Sequence, residues 1–423
     1  MYSLEGSDWA YLPKHLLDLI MHKLVSISDC VRFGAVCKPW LSMAMENKVK
    51  FFENKWCRQV PFLMVSTEDS NERRSLYNIS HNKLYDFELR IPYKKRFCGS
   101  SHGWLFTVEE SFAITLINPF SSDTIQLPPI MDRAEFDRVE DHVEFDPEID
   151  YYDTTLGEVE DDVESEHEID YYDTTLDEVE VEFEVMKATL SADPVSSPND
   201  YIVSAIYSGY RRLAFIHPGD DAWTYIDKER FNLIYDVIYY KGNIFAVDYW
   251  SRIIMVDLNR RDGESMAAQV KVIAPKTNVR NERTYLVESS NGDLLLVQRI
   301  IKYDDKNSCQ HETLRFKVFK LLLEQLEQGW PKRVEMKSLD GDTLFLGDNH
   351  SISVSASKWP GCQPNSIYYT DDYIDLNFHP PFGRCDIGIF NIENECFGTH
   401  YTFDPSHKDM PPSIWIVPTM LGN

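Results

Sequence analysis

Several things are missing from this chain. None of its eight cysteines forms a CxxC pair, and HExxH does not occur, so no metal site is expected. No phosphate loop of the form G-x-x-x-x-G-K is present, and no cofactor is implied. No apolar run approaches the roughly 18 residues of a membrane span. The opening MYSLEGSDWA has neither a basic n-region nor an apolar h-region, so no secretory signal is expected there. Cys30, Cys37, Cys57, Cys98, Cys309, Cys362, Cys385 and Cys396 then read as reduced, buried thiols of the nucleus or cytoplasm. Basic clusters are scarce too. Lys94-Lys95-Arg96 is the one hint, and it reads as a solvated strand end, so neither nucleic acid nor membrane is an expected partner.

Acidic charge is plentiful but unevenly placed. The net charge is −27 over 423 residues. Residues 132–184 hold 24 Asp/Glu and two Arg, a net of −22, which leaves about −5 for everything else. Within this stretch EDHVEFDPEIDYYDTTLGEV (140–159) is followed at once by EDDVESEHEIDYYDTTLDEV (160–179), identical at 15 of 20 positions. This is a tandem duplication, and like charge at this density is expected to resist compaction. The segment 132–198 is therefore read as an acidic, disordered insert. EVEFEV (180–185) alternates and could pair as a strand edge.

Outside it, aromatic and β-branched residues dominate from about residue 60 onward. HGWLFTV (102–108) precedes AITLINPF (113–120), and KGNIFAV (241–247) precedes IIMVDLN (253–259). NGDLLLV (291–297) precedes FKVFKLL (316–322), and PNSIYYT (364–370) precedes IGIFNIE (387–393). YIVSAIY, RRLAFIH and AWTYI (201–226) are three more strands. Gly103, Gly242 and Gly292 supply the turns. Groups of short antiparallel strands recurring about every 50 residues predict propeller blades, whose radial stacking disposes of long free edges. A β-sandwich with extra hairpins is the alternative.

Residues 8–47 differ, reading as three short helices. Pro13 fits a first helical turn, and Leu16, Ile20 and Leu24 form one stripe with Leu17 beside it. Ser28 and Asp29 suit the start of a second helix carrying Val31 and Phe33, and a third follows Trp40. About 40 residues cannot bury enough surface to stand alone, so these helices need a partner or the rest of the chain. Leu12-Pro13, Leu16, Ile20, Leu24, Val31, then Val36-Cys37-Lys38 and Trp40, resemble the F-box. That family docks on the Skp adaptor of cullin–RING ubiquitin ligases. The resemblance implies that Leu12, Pro13, Leu16 and Ile20 face the adaptor, with Leu24 on the same stripe and Val36 and Trp40 helping. Cys30-Val31 departs from the family, which often has Leu in this region. GSSHGWLF (99–106), INPF (117–120), DVIYYKGNIFAVD (236–248), YLVESSNGDLLLV (285–297) and FLGDNHSISVSA (345–356) resemble a plant group of F-box proteins. Their C-terminal domain, of unknown function, is described as a β-propeller.

Catalytic patterns are weak by comparison. Gly99-Ser100-Ser101-His102-Gly103 matches G-x-S-x-G, but a nucleophile elbow needs a helix after it and WLFTV is a strand. Asp220-Asp221 and Asp371-Asp372 offer paired carboxylates, both read as solvated turn residues. Trp250 and Trp359 sit in loop-like settings where a partner face could be lined. The fold expected is α+β and multidomain: a three-helix F-box (8–50), then a mostly antiparallel β-propeller-like domain (60–131 and 199–420) interrupted by the insert. The function expected is non-catalytic substrate recognition in an SCF-type ligase. A propeller hydrolase or carbohydrate-binding protein, or an F-box scaffold outside the ligase, are the alternatives.

Overall fold

A computed structural model describes residues 9, 12–23, 33–34, 36–46, 60–66, 73–88, 95–121, 123–131, 185–208, 210–226, 230–231, 233–258, 269–277, 283–303, 311–327, 329–359, 361–372, 386–402 and 411–417. Among these are two α-helices, α1 (Lys14–Lys23) and α2 (Lys38–Glu46), and six β-sheets. Leu24, the second predicted helix apart from Phe33 and Gly34, and the acidic stretch 132–184 lie outside the described residues.

The six sheets are the blades of a propeller. Blade 1 joins β1 (Phe62–Ser66), β2 (Arg73–Asn78) and β3 (Lys83–Glu88) to β25 (Ile414–Ile416). Blade 2 is β4 (Gly99–Ser101), β5 (Trp104–Val108), β6 (Ala113–Ile117) and β7 (Thr124–Pro129). Blade 3 is β8 (Val185–Leu190), β9 (Val203–Tyr207), β10 (Arg212–Ile216) and β11 (Thr224–Tyr225). Blade 4 is β12 (Ile234–Tyr240), β13 (Asn243–Asp248), β14 (Ile253–Asp257) and β15 (Gln269–Ala274). Blade 5 is β16 (Arg283–Glu288), β17 (Leu294–Tyr303), β18 (His311–Glu327) and β19 (Trp330–Met336). Blade 6 has five strands: β20 (Asp342–Leu346), β21 (Ile352–Ser355), β22 (Ser366–Tyr369), β23 (Gly388–Asn391) and β24 (Cys396–Gly398).

The ring is closed by sequence-distant strands. β25 pairs antiparallel with β1, Leu63 opposite Trp415, so the C-terminal strand completes the blade begun near residue 62. Strand period two then explains the core. In β1, Leu63 and Val65 point into the interface with blade 6 while Met64 points toward blade 2. In β9, Ala205 and Tyr207 pack toward blade 2 and Ile206 toward blade 4. Each blade thus buries both faces, and inner strands become continuously buried: every residue of β5, β9 and β20 is buried. Large-to-small changes at such positions leave cavities in a close-packed interface.

Tight turns explain the glycines. Lys241-Gly242, joining β12 to β13, has φ of 47° and 83°, and His102-Gly103, joining β4 to β5, has 50° and 78°. Two positive φ values in a two-residue loop match the twist of the flanking strands, and glycine adopts the second without strain. Gly99 answers a different need. A Cβ there would lie 2.1 Å from the Ala188 carbonyl oxygen, because β4 and β8 approach backbone to backbone. There the Ala188 N–H donates to the Cys98 carbonyl at 2.8 Å.

The structure corrects three expectations. β8 is the innermost strand of blade 3, so residues 185–198 of the segment 132–198 belong to the propeller. Arg96 is not a solvated strand end but is 2% exposed. Of the described cysteines Cys98 is buried, Cys37 and Cys362 are half-buried and Cys396 is exposed on β24, the last strand of its sheet among the described residues.

Candidate functional site

Two regions carry the residues singled out above: the helices and the propeller axis. In the helices the i, i+4 pair Leu17 and Met21 is buried with Phe33 and Met43, and Leu12, Ile20, Trp40 and Ala44 pack against them half-buried. The Trp40 ring lies 4.6 Å from Phe33, and its Nε1 donates to the Trp9 carbonyl at 2.9 Å. This small apolar cluster contains no propeller residue among the described ones. On its outside Pro13, Leu16, Leu19, Val36 and Leu41 are exposed, with Leu16 at 39% and Val36 at 53%. Leu16 and Val36 therefore lie on a free face, whereas Leu12, Ile20 and Trp40 divide their surface between the cluster and solvent. The helix period of 3.6 produces this split: Leu17 and Met21 take the inner face, and Leu16, one position back, is rotated 100° away.

The axis carries a second constellation, invisible in sequence because its members are far apart. The loop 347–351 of blade 6 crosses the centre of the ring and touches three other blades. Asp348 meets Arg96 at 3.2 Å, and the His350 N–H donates to the Ser100 carbonyl at 2.8 Å. His350 Nδ1 lies 3.2 Å from the Thr189 hydroxyl, and the Ser351 hydroxyl donates to Asp236 at 3.3 Å. Lys187 and Asp236 form an ion pair at 2.7 Å between blades 3 and 4. Around blades 5 and 6, Arg299 pairs with Asp372 and Asp386, both at 2.9 Å, and Arg283 lies 3.6 Å from Asp372. His311 pairs with Asp371 at 2.8 Å.

Burial sets the electrostatics. It opposes the charge on Asp372, but Arg283 and Arg299 outweigh it and hold the carboxyl below its ordinary range. Burial pushes Asp348 up despite Arg96, and pushes His350 down to about 3. Burial lowers His311, and its hydrogen bond to Asp371 reverses that and raises it.

These facts correct the expectation for the paired carboxylates. Asp371 and Asp372 are 4% and 3% exposed, not solvated, and each is committed to cations across a blade boundary. Asp220 and Asp221 are exposed turn residues, as expected. Ser101 ends a strand, with a two-residue turn and another strand after it, so G-x-S-x-G forms a hairpin and not an elbow. Among the described residues no group of three or more His, Cys, Asp or Glu could hold a metal. Trp250 is half-buried with the Lys276 ammonium 4.1 Å above its ring, and Trp359 packs half-buried at the blade 6–blade 1 interface.

Comparison with known proteins fits this architecture. The profile of the KIB1-4 beta-propeller family matches residues 76–391. F-box protein SKIP23 of Arabidopsis thaliana is 24% identical over 416 residues, covering 92% of this chain and 90% of the relative. F-box protein At2g17036 of the same plant is 26% identical over 372 residues, covering 83% and 80%. Probable F-box protein At4g22060 is 23% identical over 437 residues, covering 98% and 97%. That last alignment leaves 2% of this chain uncovered, too little to omit the helical segment. With three quarters of its length matched and an apolar cluster between each pair of neighbouring blades, this chain belongs to the KIB1-4 β-propeller family, and it resembles plant proteins named as F-box proteins.

Proposed function

We propose that this protein is a substrate-recognition subunit of an SCF-type ubiquitin ligase. The helices at 12–46, completed as a three-helix F-box, dock on the Skp adaptor, and the propeller holds a protein substrate. The observation that carries this reading is the set of exposed apolar residues Leu16, Leu19, Val36 and Leu41 on a cluster that contains no propeller side chain among the described residues. An exposed apolar patch on so small a unit is a liability unless a partner covers it. Leu12, Pro13, Leu16, Ile20, Leu24, Val36 and Trp40 are the residues we assign to the adaptor. Through the adaptor the chain joins a cullin–RING assembly, in the nucleus or cytoplasm.

The chemistry asked of the protein is positional. Tethering a substrate beside the charged enzyme raises its effective concentration, and no side chain of the receptor needs to form a covalent bond. The carboxylates at the axis suit this: they are held by cations, which is a structural role.

The test is affinity purification of the full chain with the adaptor and cullin. The wild type is compared with Leu12→Ala/Pro13→Ala and with Ile20→Asp, with circular dichroism as a folding control. Recovery of both partners by the wild type and loss in folded variants is expected. Equal recovery by all three sinks the docking assignment.

A further inference from the structure

Blade 6 ends on its fifth strand, β24. Among the described residues no strand pairs with the outer side of β24. An edge strand presents unpaired N–H and C=O groups to any extended chain that meets it. Sequence blunts the other outer edges. β19 carries Pro331 among charged residues, β3 is charged at both ends, β7 ends in Pro128-Pro129, β15 carries Lys271 and β11 is two residues long. β24 is Cys396-Phe397-Gly398, with neither charge nor proline. It is short, but the exposed run extends beyond it at both ends, from Glu393 to Thr399.

Phe397 also ends an apolar row. Leu344, Ile367, Phe390 and Phe397 lie opposite one another across β20, β22, β23 and β24. The first three are buried in the interface with blade 5. Phe397 is 49% exposed, its ring centroid 5.1 Å from that of Phe390. Elsewhere a charge closes such a row. In blade 5 Leu286, Leu296 and Phe319 lead to Glu335 on β19, and in blade 4 Ile238, Phe245 and Met255 lead to Lys271 on β15. The local charge at β24 is negative. Glu393 and Glu395 are exposed in the turn that leads into it, and the five strands of blade 6 contain no Lys or Arg.

We propose that β24 is a docking edge for an extended segment of a partner protein, which joins blade 6 as a sixth strand. An apolar residue of that segment covers Phe397, and a basic residue meets Glu393 and Glu395. Side chains opposite one another on one face have Cβ atoms about 4.5–5.5 Å apart, so contact with the Phe397 ring follows from the pairing. Main-chain bonds supply affinity, and the apolar and basic positions supply specificity. The acidic stretch 132–184 has the wrong charge for this edge. The proposal deepens the receptor reading, on which it rests, by placing substrate contact on the rim of blade 6.

The probes are peptides enriched from a random dodecapeptide display library on the full-length protein, then synthesised with a fluorescent label. Affinity is read by anisotropy, and occupancy of the edge by the iodoacetamide alkylation rate of Cys396, with Cys37 as the internal reference in mass spectrometry. The expected peptides are basic, with alternating apolar residues, and slow Cys396 but not Cys37. Their affinity falls at least about tenfold in Phe397→Asp and in Glu393→Lys/Glu395→Lys. N-methylation of one alternate set of peptide amides abolishes binding, and methylation of the other set does not, as pairing along one edge requires. Failure to enrich any peptide, equal binding by both folded variants, or an unchanged Cys396 rate overturns the proposal. So does protection of Cys396 by a peptide of residues 160–179, or a dimer of the free protein that Phe397→Asp dissolves. Adaptor recovery is measured in parallel. Its failure in the wild type removes the ligase role without touching the peptide result.

Discussion

Asp348 reaches across the propeller to Arg96, 3.2 Å away, from blade 6 to the segment that leads into blade 2. Most contacts in a propeller join neighbouring blades. This one joins blades that are not neighbours, and it exists because the loop 347–351 leaves blade 6 and occupies the axis. Arg96 also donates to the carbonyls of Val185 and Met186, at 3.0 and 2.9 Å, so one guanidinium holds three blades together.

Breaking this pair should be costly. Asp348→Ala removes the carboxylate facing the buried Arg96 charge, and the expected loss is about 3–5 kcal/mol of unfolding free energy. Replacing both, as Arg96→Met/Asp348→Leu, is expected to cost much less, because the buried guanidinium charge is removed together with its carboxylate. Urea denaturation of the three variants separates these outcomes.

Ring closure makes a second prediction. Trp415 is fully buried in β25 against Phe345 and Tyr368 of blade 6. Trp415→Ala should cost about 3–5 kcal/mol. Since β25 pairs with β1 and carries Trp415 into the blade 6 interface, hydrogen exchange should rise first in β1 and β25.

In the helices Leu16 and Leu17 are neighbours with opposite fates. Leu16→Asp is expected to keep helicity, because Leu16 is exposed, and Leu17→Asp to lose it, because a buried unpaired carboxylate costs several kcal/mol. Circular dichroism of the full chain near 222 nm, read as a difference from wild type, reports which occurs.

Acid should destabilise the fold through its buried histidines. Burial pushes His350 down to about 3 and His400 down to about 4. The unfolded chain takes up protons at these sites below roughly pH 6.5, and the folded chain does not, so stability falls as pH drops from about 6.5 towards 4. The loss at pH 4 is about 3 kcal/mol for His350. His311 has the opposite sign: its raised value means a contribution present below about 6.5 and lost as pH climbs through the folded value. His350→Asn should therefore flatten the acid limb of a stability–pH profile and leave the alkaline limb alone.

Much of the propeller was legible before the structure. The runs at 102–108, 241–247 and 291–297 are the strands β5, β13 and β17, and the residues after them form β6, β14 and β18. Local signals carried this: a glycine turn, then strands buried on both sides. What could not be read was non-local. β25 joins blade 1 across more than 300 residues, and no short-range pattern announces such a pairing. Arg96 looked like a solvated end because its neighbours Lys94 and Lys95 are basic; its partners at 185, 186 and 348 are distant in sequence. Asp371 and Asp372 looked like turn residues for the same reason, since the cations that bury them come from blade 5. In the helices, residue types identified the stripe, but only packing distinguishes Leu17, turned inward, from Leu16, turned out.

The central claim is that the helices, not the propeller, meet the adaptor. Hydrogen-exchange mass spectrometry of the full chain, with and without purified Skp adaptor, tests it most directly. Slowed exchange across 12–23 and 33–46 with no change in β5, β9 and β20 is the predicted result. Unchanged exchange in the helices, or protection confined to the propeller, contradicts it.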